Sequence, residues 1–225
     1  MAIDVYWGSG SPFSWRVLLA LEHKRLHYTN HLLQFSKQEH KSPQMLSLNF
    51  RGRVPVLKDG DYVVFESLAV LFYLDRKYPE PPLFGRSAEE AGVIMRVICE
   101  YQAYAEEHVM KIVNSFFVRT PGKSPKPDEL AESMHRVASE ARSIEARLSK
   151  SNWVVGESVS AADIIIFPSL QILLRTLARP EARDLSSRFL PLQVNYPALS
   201  RWIERVEALP GYARTYPPHW REKQP

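Results

Sequence analysis

The fold is decided at Gly8-Ser9-Gly10-Ser11-Pro12-Phe13-Ser14, a turn between a short apolar strand and a strongly helical run. Ser11 is predicted to cap the helix, with Pro12 at its first position, where the missing N–H costs nothing. The free N–H groups and partial positive charge of a helix N-terminus stabilise an anion placed there. A Ser-Pro helix start is often no more than a cap, so the turn alone does not identify the anion.

The composition narrows the class of protein. The chain has 225 residues with a net charge of +4, enough for one large domain or two small ones. Its basic residues are mixed with acidic ones, and no basic stripe, zinc spacing or phosphate-binding glycine loop is present, so we expect neither nucleic-acid nor metal binding. No apolar run approaches the ~20 residues that span a bilayer. The amino terminus lacks a signal-peptide pattern and the lone Cys99 suits a reducing compartment, so we expect a cytoplasmic protein without a membrane partner.

The first third of the chain alternates strands and helices. Its apolar periodicity predicts a strand, a helix and a second strand parallel to the first, then a short helix. A strand pair around Asp59-Gly60 and another helix follow. The order βαβ-α-ββα predicts a small α/β domain with a mixed four-stranded sheet. The predicted elements span residues 3–7, 12–24, 27–33, 42–48, 54–57, 62–65 and the helix opened by Glu66-Ser67.

A proline-rich segment separates this domain from a helical one. Residues 79–86 carry three prolines and a glycine, which is typical of a linker. No strand is predicted beyond it, and the long helical runs are punctuated by prolines. We therefore expect an α/β domain over residues 1–78 and an all-α domain over residues 87–225. The predicted long helices span residues 87–117, 127–150, 160–177 and 197–209.

Four motifs stand out along the chain: Ser11-Pro12-Phe13-Ser14-Trp15-Arg16-Val17, Val54-Pro55, Glu66-Ser67 and Gly156-Glu157-Ser158-Val159-Ser160-Ala161-Ala162-Asp163-Ile164. The last motif also has a physical reading, because Ser160 and Asp163 form a capping box. At this spacing the four motifs give the chain a resemblance, over nearly its whole length, to the soluble glutathione transferases. The resemblance is to the serine-type theta, zeta and tau groups, and it implies a thioredoxin-like domain, a helical domain and a homodimer.

The resemblance implies a glutathione site with a defined polarity. The cysteinyl unit would pair with the backbone of Val54, whose bond to Pro55 the family carries in the cis form. The γ-glutamyl carboxylate would lie at the helix start near Ser67, and its ammonium near Glu66. The glycyl carboxylate would lie near cationic side chains. The residues implied in binding are His40, Lys41, Arg53, Val54, Pro55, Glu66 and Ser67.

Ser11 is the expected catalytic residue, as a hydrogen-bond donor to the glutathione thiolate. A free thiol has a pKa of about 8.5, and lowering it to about 7 requires roughly 2 kcal/mol. A helix N-terminus supplies ~0.3–1 kcal/mol, and a hydroxyl bonded to a charged sulfur adds ~1.5–3 kcal/mol. Three other hydroxyls compete for this role: Tyr6, which other branches of the family use, together with Ser9 and Ser14.

The predicted second substrate is a small electrophile, and the predicted reaction is its conjugation to glutathione. We expect its pocket near the first turn and the long helix, where Cys99 is expected to be buried. Alternatives are a maleylacetoacetate-type isomerase, a dehalogenase, or a non-catalytic glutathione-binding module. The isomerase is disfavoured because Ser11-Pro12-Phe13 stands where that group carries a Ser-Ser-Cys triplet. The candidate pocket residues are Trp7, Tyr104, His108 and Phe116.

Overall fold

The computed structural model describes residues 3–117, 126–187 and 189–221, and its contacts divide the chain between Leu83 and Phe84. That division falls inside the proline-rich segment 79–86. The first unit comprises Met1–Leu83 together with the segment from Ala208 onward, and the second unit is Phe84–Glu207.

The first unit contains the mixed four-stranded sheet that the sequence predicts. Its strands are β1 Ile3–Trp7, β2 Tyr28–Leu32, β3 Val56–Asp59 and β4 Tyr62–Phe65. They lie in the order β2-β1-β3-β4, with β1 parallel to β2, and with β3 antiparallel to both β1 and β4. The third strand begins later than predicted, because Pro55 has no N–H to donate to a sheet ladder. The peptide bond between Val54 and Pro55 is cis.

Three helices complete this thioredoxin-like arrangement: α1 Pro12–His23, α2 Pro43–Leu48 and α3 Ser67–Lys77. The serine caps of the first two are confirmed. Ser11 Oγ accepts a hydrogen bond from the Ser14 N–H at 3.3 Å, and Ser42 Oγ accepts one from the Met45 N–H at 3.3 Å. Each cap satisfies a backbone donor that would otherwise lack a partner at the helix start.

The second unit is helical over its described residues. The long helix predicted over residues 87–117 is interrupted by a π-helical turn, Gln102–Glu106, whose wider turn shifts the following side chains from the 3.6-residue pattern. Cys99 is exposed rather than buried, because the buried stripe of its helix passes through Ile98 and Tyr101 instead. The helices are α4 Ala88–Tyr101, α5 Glu107–Phe117, α6 Pro127–Leu148, α7 Ala161–Leu177, α8 Arg183–Ser186, α9 Leu192–Asn195 and α10 Pro197–Glu207.

Among the described residues, no single helix is both long enough and apolar enough to cross a membrane. The bent pair Ala161–Leu177 and Pro180–Ser186 reaches the required length and apolar composition only when its two helices are taken together.

The carboxyl-terminal segment differs from its expected place in the helical domain. It forms α11, Tyr212–Thr215, and a 3₁₀ turn, Pro218–Trp220, and it packs with the first unit. The buried indole of Trp15 donates to Thr215 Oγ1 at 2.8 Å, and Arg214 forms an ion pair with Glu22. These pairs join residues about two hundred positions apart, which local sequence patterns do not reveal.

Asp163 is the polar centre of the helical unit. Its two carboxylate oxygens accept from the N–H groups of Val154 and Ser160 at 2.9 Å, from the Ser160 hydroxyl at 2.8 Å and from the indole of Trp202 at 2.8 Å. The predicted capping box of α7 is therefore present, and the same carboxylate also fixes the preceding loop and α10. Asp163 is almost completely buried, so these donors have no access to water as a substitute.

We predict that Asp163→Ala lowers the free energy of unfolding by about 3 to 5 kcal/mol, because it leaves several buried donors without an acceptor. Urea denaturation followed by circular dichroism measures the change. Asp184→Ala is the control: this aspartate is exposed, so we expect a change within about 0.5 kcal/mol. Equal losses in the two variants would contradict the central role of Asp163.

Candidate functional site

A cleft with a volume of about 580 Å³ lies in the first unit. It is bordered by the turn after β1, the segment between β2 and β3, and the start of α3. All eight residues expected to act in catalysis and glutathione binding lie along it: Ser11, His40, Lys41, Arg53, Val54, Pro55, Glu66 and Ser67. The cleft is also lined by five residues to which the sequence analysis gave no role in the site: Phe13, Phe35, Asn49, Arg51 and Gly52.

Ser11 presents its hydroxyl at this cleft with one lone pair already in use. Its Oγ accepts from the Ser14 N–H at 3.3 Å, and its own N–H donates to the Gly8 carbonyl at 3.1 Å. A hydroxyl has one proton to donate and two lone pairs. The cap therefore occupies an acceptor site of Ser11 and leaves its proton for a group in the cleft.

The other two serines of the turn are engaged elsewhere. Ser14 is fully buried, and its Oγ accepts from the Gly8 N–H at 3.4 Å. Ser9 Oγ lies 2.6 Å from Nδ1 of His219 in the carboxyl-terminal segment. Neither serine lines the cleft, so Ser11 alone of the three borders it.

Tyr6 also lies outside the cleft lining. Its ring stacks on His31, with the ring centroids 4.5 Å apart and the planes inclined by 12°. Burial and the nearby Asp4 carboxylate raise the pKa of Tyr6 above its ordinary value. Tyr6 is thus held in a stack with a neighbouring strand.

The start of α3 repeats the arrangement seen at Ser11. Ser67 is buried, and its Oγ accepts from Nη1 of Arg16 at 3.4 Å, so its own proton is left for another acceptor. Arg16 is itself fully buried, and its guanidinium lies 4.8 Å from the Phe13 ring centroid. The exposed Glu66 precedes Ser67 with a φ of 69°, a left-handed backbone conformation that is uncommon outside glycine. The Ser67 hydroxyl and the Glu66 carboxylate therefore border the cleft as neighbours in the chain.

Cationic side chains also line the cleft. Lys41, Arg51 and Arg53 are exposed there, and His40 is half-buried. The Nδ1 atom of His40 is buried and has no hydrogen-bond partner among the described residues. Burial, and secondarily the charge of Lys41, lowers the pKa of His40. These residues can receive an anion through N–H donors and positive charge together.

Asn49 shapes the loop that presents the two arginines. Its buried side-chain amide donates to the Arg53 carbonyl at 2.9 Å, and its Oδ1 accepts from the Arg51 N–H at 3.1 Å. An asparagine side chain can accept a bond from the backbone two residues further on, so asparagine is common in turns. Asn49 was therefore a turn signal in the sequence. Phe35 had no such signal, because it lies in an irregular segment after β2.

The structure corrects the expected electrophile pocket at Trp7. This side chain is 4 % exposed, on the buried face of β1 with Ile3 and Val5, and its indole donates to Asn30. Strand alternation, which places every second side chain on one face, is the physical reason.

The three expected pocket residues of the helical unit lie in different surroundings. Tyr104 is exposed in the π-helical turn, His108 Nδ1 lies 3.3 Å from Ser133 Oγ of α6, and Phe116 is half-buried. None of the three lines the small apolar cavity of that unit, which is bordered by Tyr101 and Phe189 among others.

Comparison with known proteins gives a consistent result. Two family models match the chain, "Glutathione S-transferase, N-terminal domain" over residues 1–76 and "Glutathione S-transferase, C-terminal domain" over residues 105–210. The chain is 30% identical to glutathione S-transferase A of Pleuronectes platessa over 231 residues, covering 98% of this chain and 93% of that protein.

Solved structures show the same similarity. The fold resembles the crystal structure of a glutathione S-transferase from the Antarctic clam Laternula elliptica, with a TM-score of 0.83, 31% identity, and coverage of 100% of this chain and 96% of that one. It also resembles a glutathione transferase from Phanerochaete chrysosporium solved with oxidized glutathione, with a TM-score of 0.78, 25% identity, and coverage of 95% and 94%.

We predict that the His40 ring titrates below the ordinary histidine pKa of about 6.5 in the ligand-free protein. Burial and Lys41 both disfavour the imidazolium, so the neutral ring dominates at neutral pH. An NMR titration of the ring protons measures this. Lys41→Gln removes only the smaller cause, so the pKa of His40 should rise in part. A pKa at or above the ordinary value in the unmodified protein would contradict the prediction.

Proposed function

Because the chain belongs to the glutathione S-transferase family, we propose that it conjugates the thiol of glutathione to small electrophiles. The observation that carries this proposal is the cleft, whose lining includes all eight residues that the family resemblance marks. Glutathione supplies the reactive group, a thiol that becomes a nucleophile when it loses its proton. We further propose that the protein works in the cytoplasm.

The charges along the cleft fit the polarity of glutathione. His40, Lys41 and Arg53, which line the cleft, would receive the glycyl carboxylate. Ser67, with a proton left to donate and the N-terminus of α3 behind it, would receive the γ-glutamyl carboxylate, and Glu66 would bind the ammonium. The buried, unpartnered Nδ1 of His40 supports a polar ligand here, since buried polar atoms ordinarily have a partner.

Ser11 would stabilise the thiolate by donating its hydroxyl proton to the sulfur. The N-terminus of α1 adds a partial positive charge worth ~0.3–1 kcal/mol, and the charge-assisted bond adds ~1.5–3 kcal/mol. Together these cover the roughly 2 kcal/mol needed to lower a thiol pKa from about 8.5 to about 7. Val54 and Pro55 would hold the adjacent backbone, which keeps the sulfur in reach of Ser11.

We predict that Ser11→Ala raises the apparent pKa of the bound thiol by about 1 to 2 units, because it removes the donated hydrogen bond. The ultraviolet absorbance of the thiolate as a function of pH measures this value in the binary complex. Glutathione affinity should change little, since the contacts at both ends remain. Tyr6→Phe is the control, and its pKa should match that of the unmodified protein. The reverse result would reassign the thiolate partner to Tyr6.

Turnover then separates the candidate reactions. A panel of aryl and alkyl halides, enones and maleyl-type acids should give conjugates with at least one class of electrophile. Tyr104, His108 and Phe116 remain the proposed electrophile contacts. Isomerisation of maleyl-type acids without conjugate formation would favour the isomerase. Glutathione binding with no reaction in the panel would favour a binding module.

We also propose that the protein forms a homodimer. Phe50 is 71% exposed beside Phe65, with the ring centroids 6.1 Å apart, and Tyr62 and Phe72 are each about half exposed. Large exposed aromatic side chains in one unit support a protein interface. We predict that Phe50→Ser shifts the protein toward monomer in sedimentation equilibrium, whereas Val194→Ser, at an equally exposed apolar side chain of the helical unit, does not. A monomeric unmodified protein would refute the dimer.

A further inference from the structure

Two side chains from other segments lie against the turn that carries Ser11. A Cβ on Gly8 would lie 2.0 Å from Cζ of Phe35. Gly10 has a φ of +81°, and a Cβ there would lie 2.8 Å from Cε1 of His219. At Gly10 the left-handed backbone conformation favours glycine, and at both positions a side chain would displace the ring that lies against it. The side chain that closes on Gly10 comes from the other end of the chain.

His219 belongs to a segment that is fastened along α1. We call residues 211–221 the C-terminal strap. Arg214 Nε lies 3.1 Å from both carboxylate oxygens of Glu22, near the end of α1. Further along, Thr215 is fully buried and accepts from the Trp15 indole at 2.8 Å. The strap therefore runs from the carboxyl-terminal part of α1 to its beginning.

Aromatic rings hold the rest of the strap against the start of α1. The Trp15 ring meets the edges of Tyr216 and Trp220, with centroids 5.8 Å and 5.5 Å apart and planes near perpendicular. Edge-to-face pairs contribute about 0.5–1.5 kcal/mol each beyond the area they bury. They fix Trp220, the neighbour of His219, and so set the position of the histidine.

The strap ends on the turn itself. Nδ1 of His219 lies 2.6 Å from Ser9 Oγ, two residues before Ser11. Ser9 is flanked by Gly8 and Gly10, and glycine leaves the backbone more freedom than any other residue. The turn has restraints of its own, namely the Ser11 cap and the bond from the Ser11 N–H to the Gly8 carbonyl. The His219–Ser9 bond adds a restraint from a distant segment of the chain.

We infer that His219 is a positioning residue for Ser11, acting through Ser9, and this inference rests on the proposed thiol activation. His219 does not line the cleft and so acts on the turn rather than on the substrate. Restraining the turn keeps the Ser11 hydroxyl aimed at the sulfur, which lowers the cost of aligning the donor when the thiolate forms. The strap thereby couples the carboxyl terminus to the chemistry of the first unit.

The test compares single and double variants in the complex with glutathione. His219→Ala should raise the apparent pKa of the bound thiol by about 0.5 unit, which lowers the ratio of thiolate to thiol about threefold. Ser9→Ala should give the same shift, and the double variant no more than either single one, because both remove one bond. His219→Asn should restore the unmodified pKa, since its amide presents a polar atom close to the position of Nδ1. Glutathione affinity and the urea midpoint should stay unchanged in all four variants.

His27→Ala is the matched control, because it removes an exposed histidine of the same unit outside the strap. An unchanged thiol pKa in both His219→Ala and Ser9→Ala, beside a raised one in Ser11→Ala, overturns the inference and leaves the proposed function intact. Additive shifts in the double variant, or no rescue by His219→Asn, also overturn it. A thiol pKa that Ser11→Ala does not move removes the proposed thiol activation and the inference together.

Discussion

A hydrogen bond from the Ser14 N–H to the Ser11 hydroxyl fixes the start of α1 and the direction in which Ser11 can donate. The ordinary role of a serine cap is to satisfy a backbone N–H at the start of its helix. Here the capped helix begins at the edge of a cleft, and the cap leaves the proton of Ser11 unused. Helix formation and the proposed thiol activation therefore depend on the same oxygen atom.

A second serine that accepts a bond from within the unit lies at the start of α3, the other helix that borders the cleft. Ser67 Oγ accepts from the buried guanidinium of Arg16, which reaches it from α1. A buried cation is costly unless its donors are satisfied, so Arg16 requires acceptors such as Ser67. The bond joins α1 to α3 within the first unit and leaves the Ser67 proton for a further acceptor. Ser11 and Ser67 thus each accept a bond from inside the unit and each keep a proton to donate.

Local patterns in the sequence were sufficient for the α/β unit. Serine-proline starts, strand alternation and the Asp59-Gly60 turn each depend on neighbours within a few residues, and the structure confirms the sheet. The set of residues along the cleft came from the family resemblance, since His40 and Arg53 alone read as surface residues. Trp7 was expected in the electrophile pocket because it immediately precedes the turn. Strand alternation instead places its side chain on the buried face of β1.

The features that the sequence missed are long-range or concern helix register. The π-helical turn at Gln102–Glu106 interrupts the long helix, and no local pattern in the sequence indicated it. The His219–Ser9 bond joins residues 210 positions apart, so neither position is informative by itself. What the sequence did show was two glycines around Ser9. The rings of Phe35 and His219 lie against these two glycines, and such contacts from distant segments can be seen only in the folded chain.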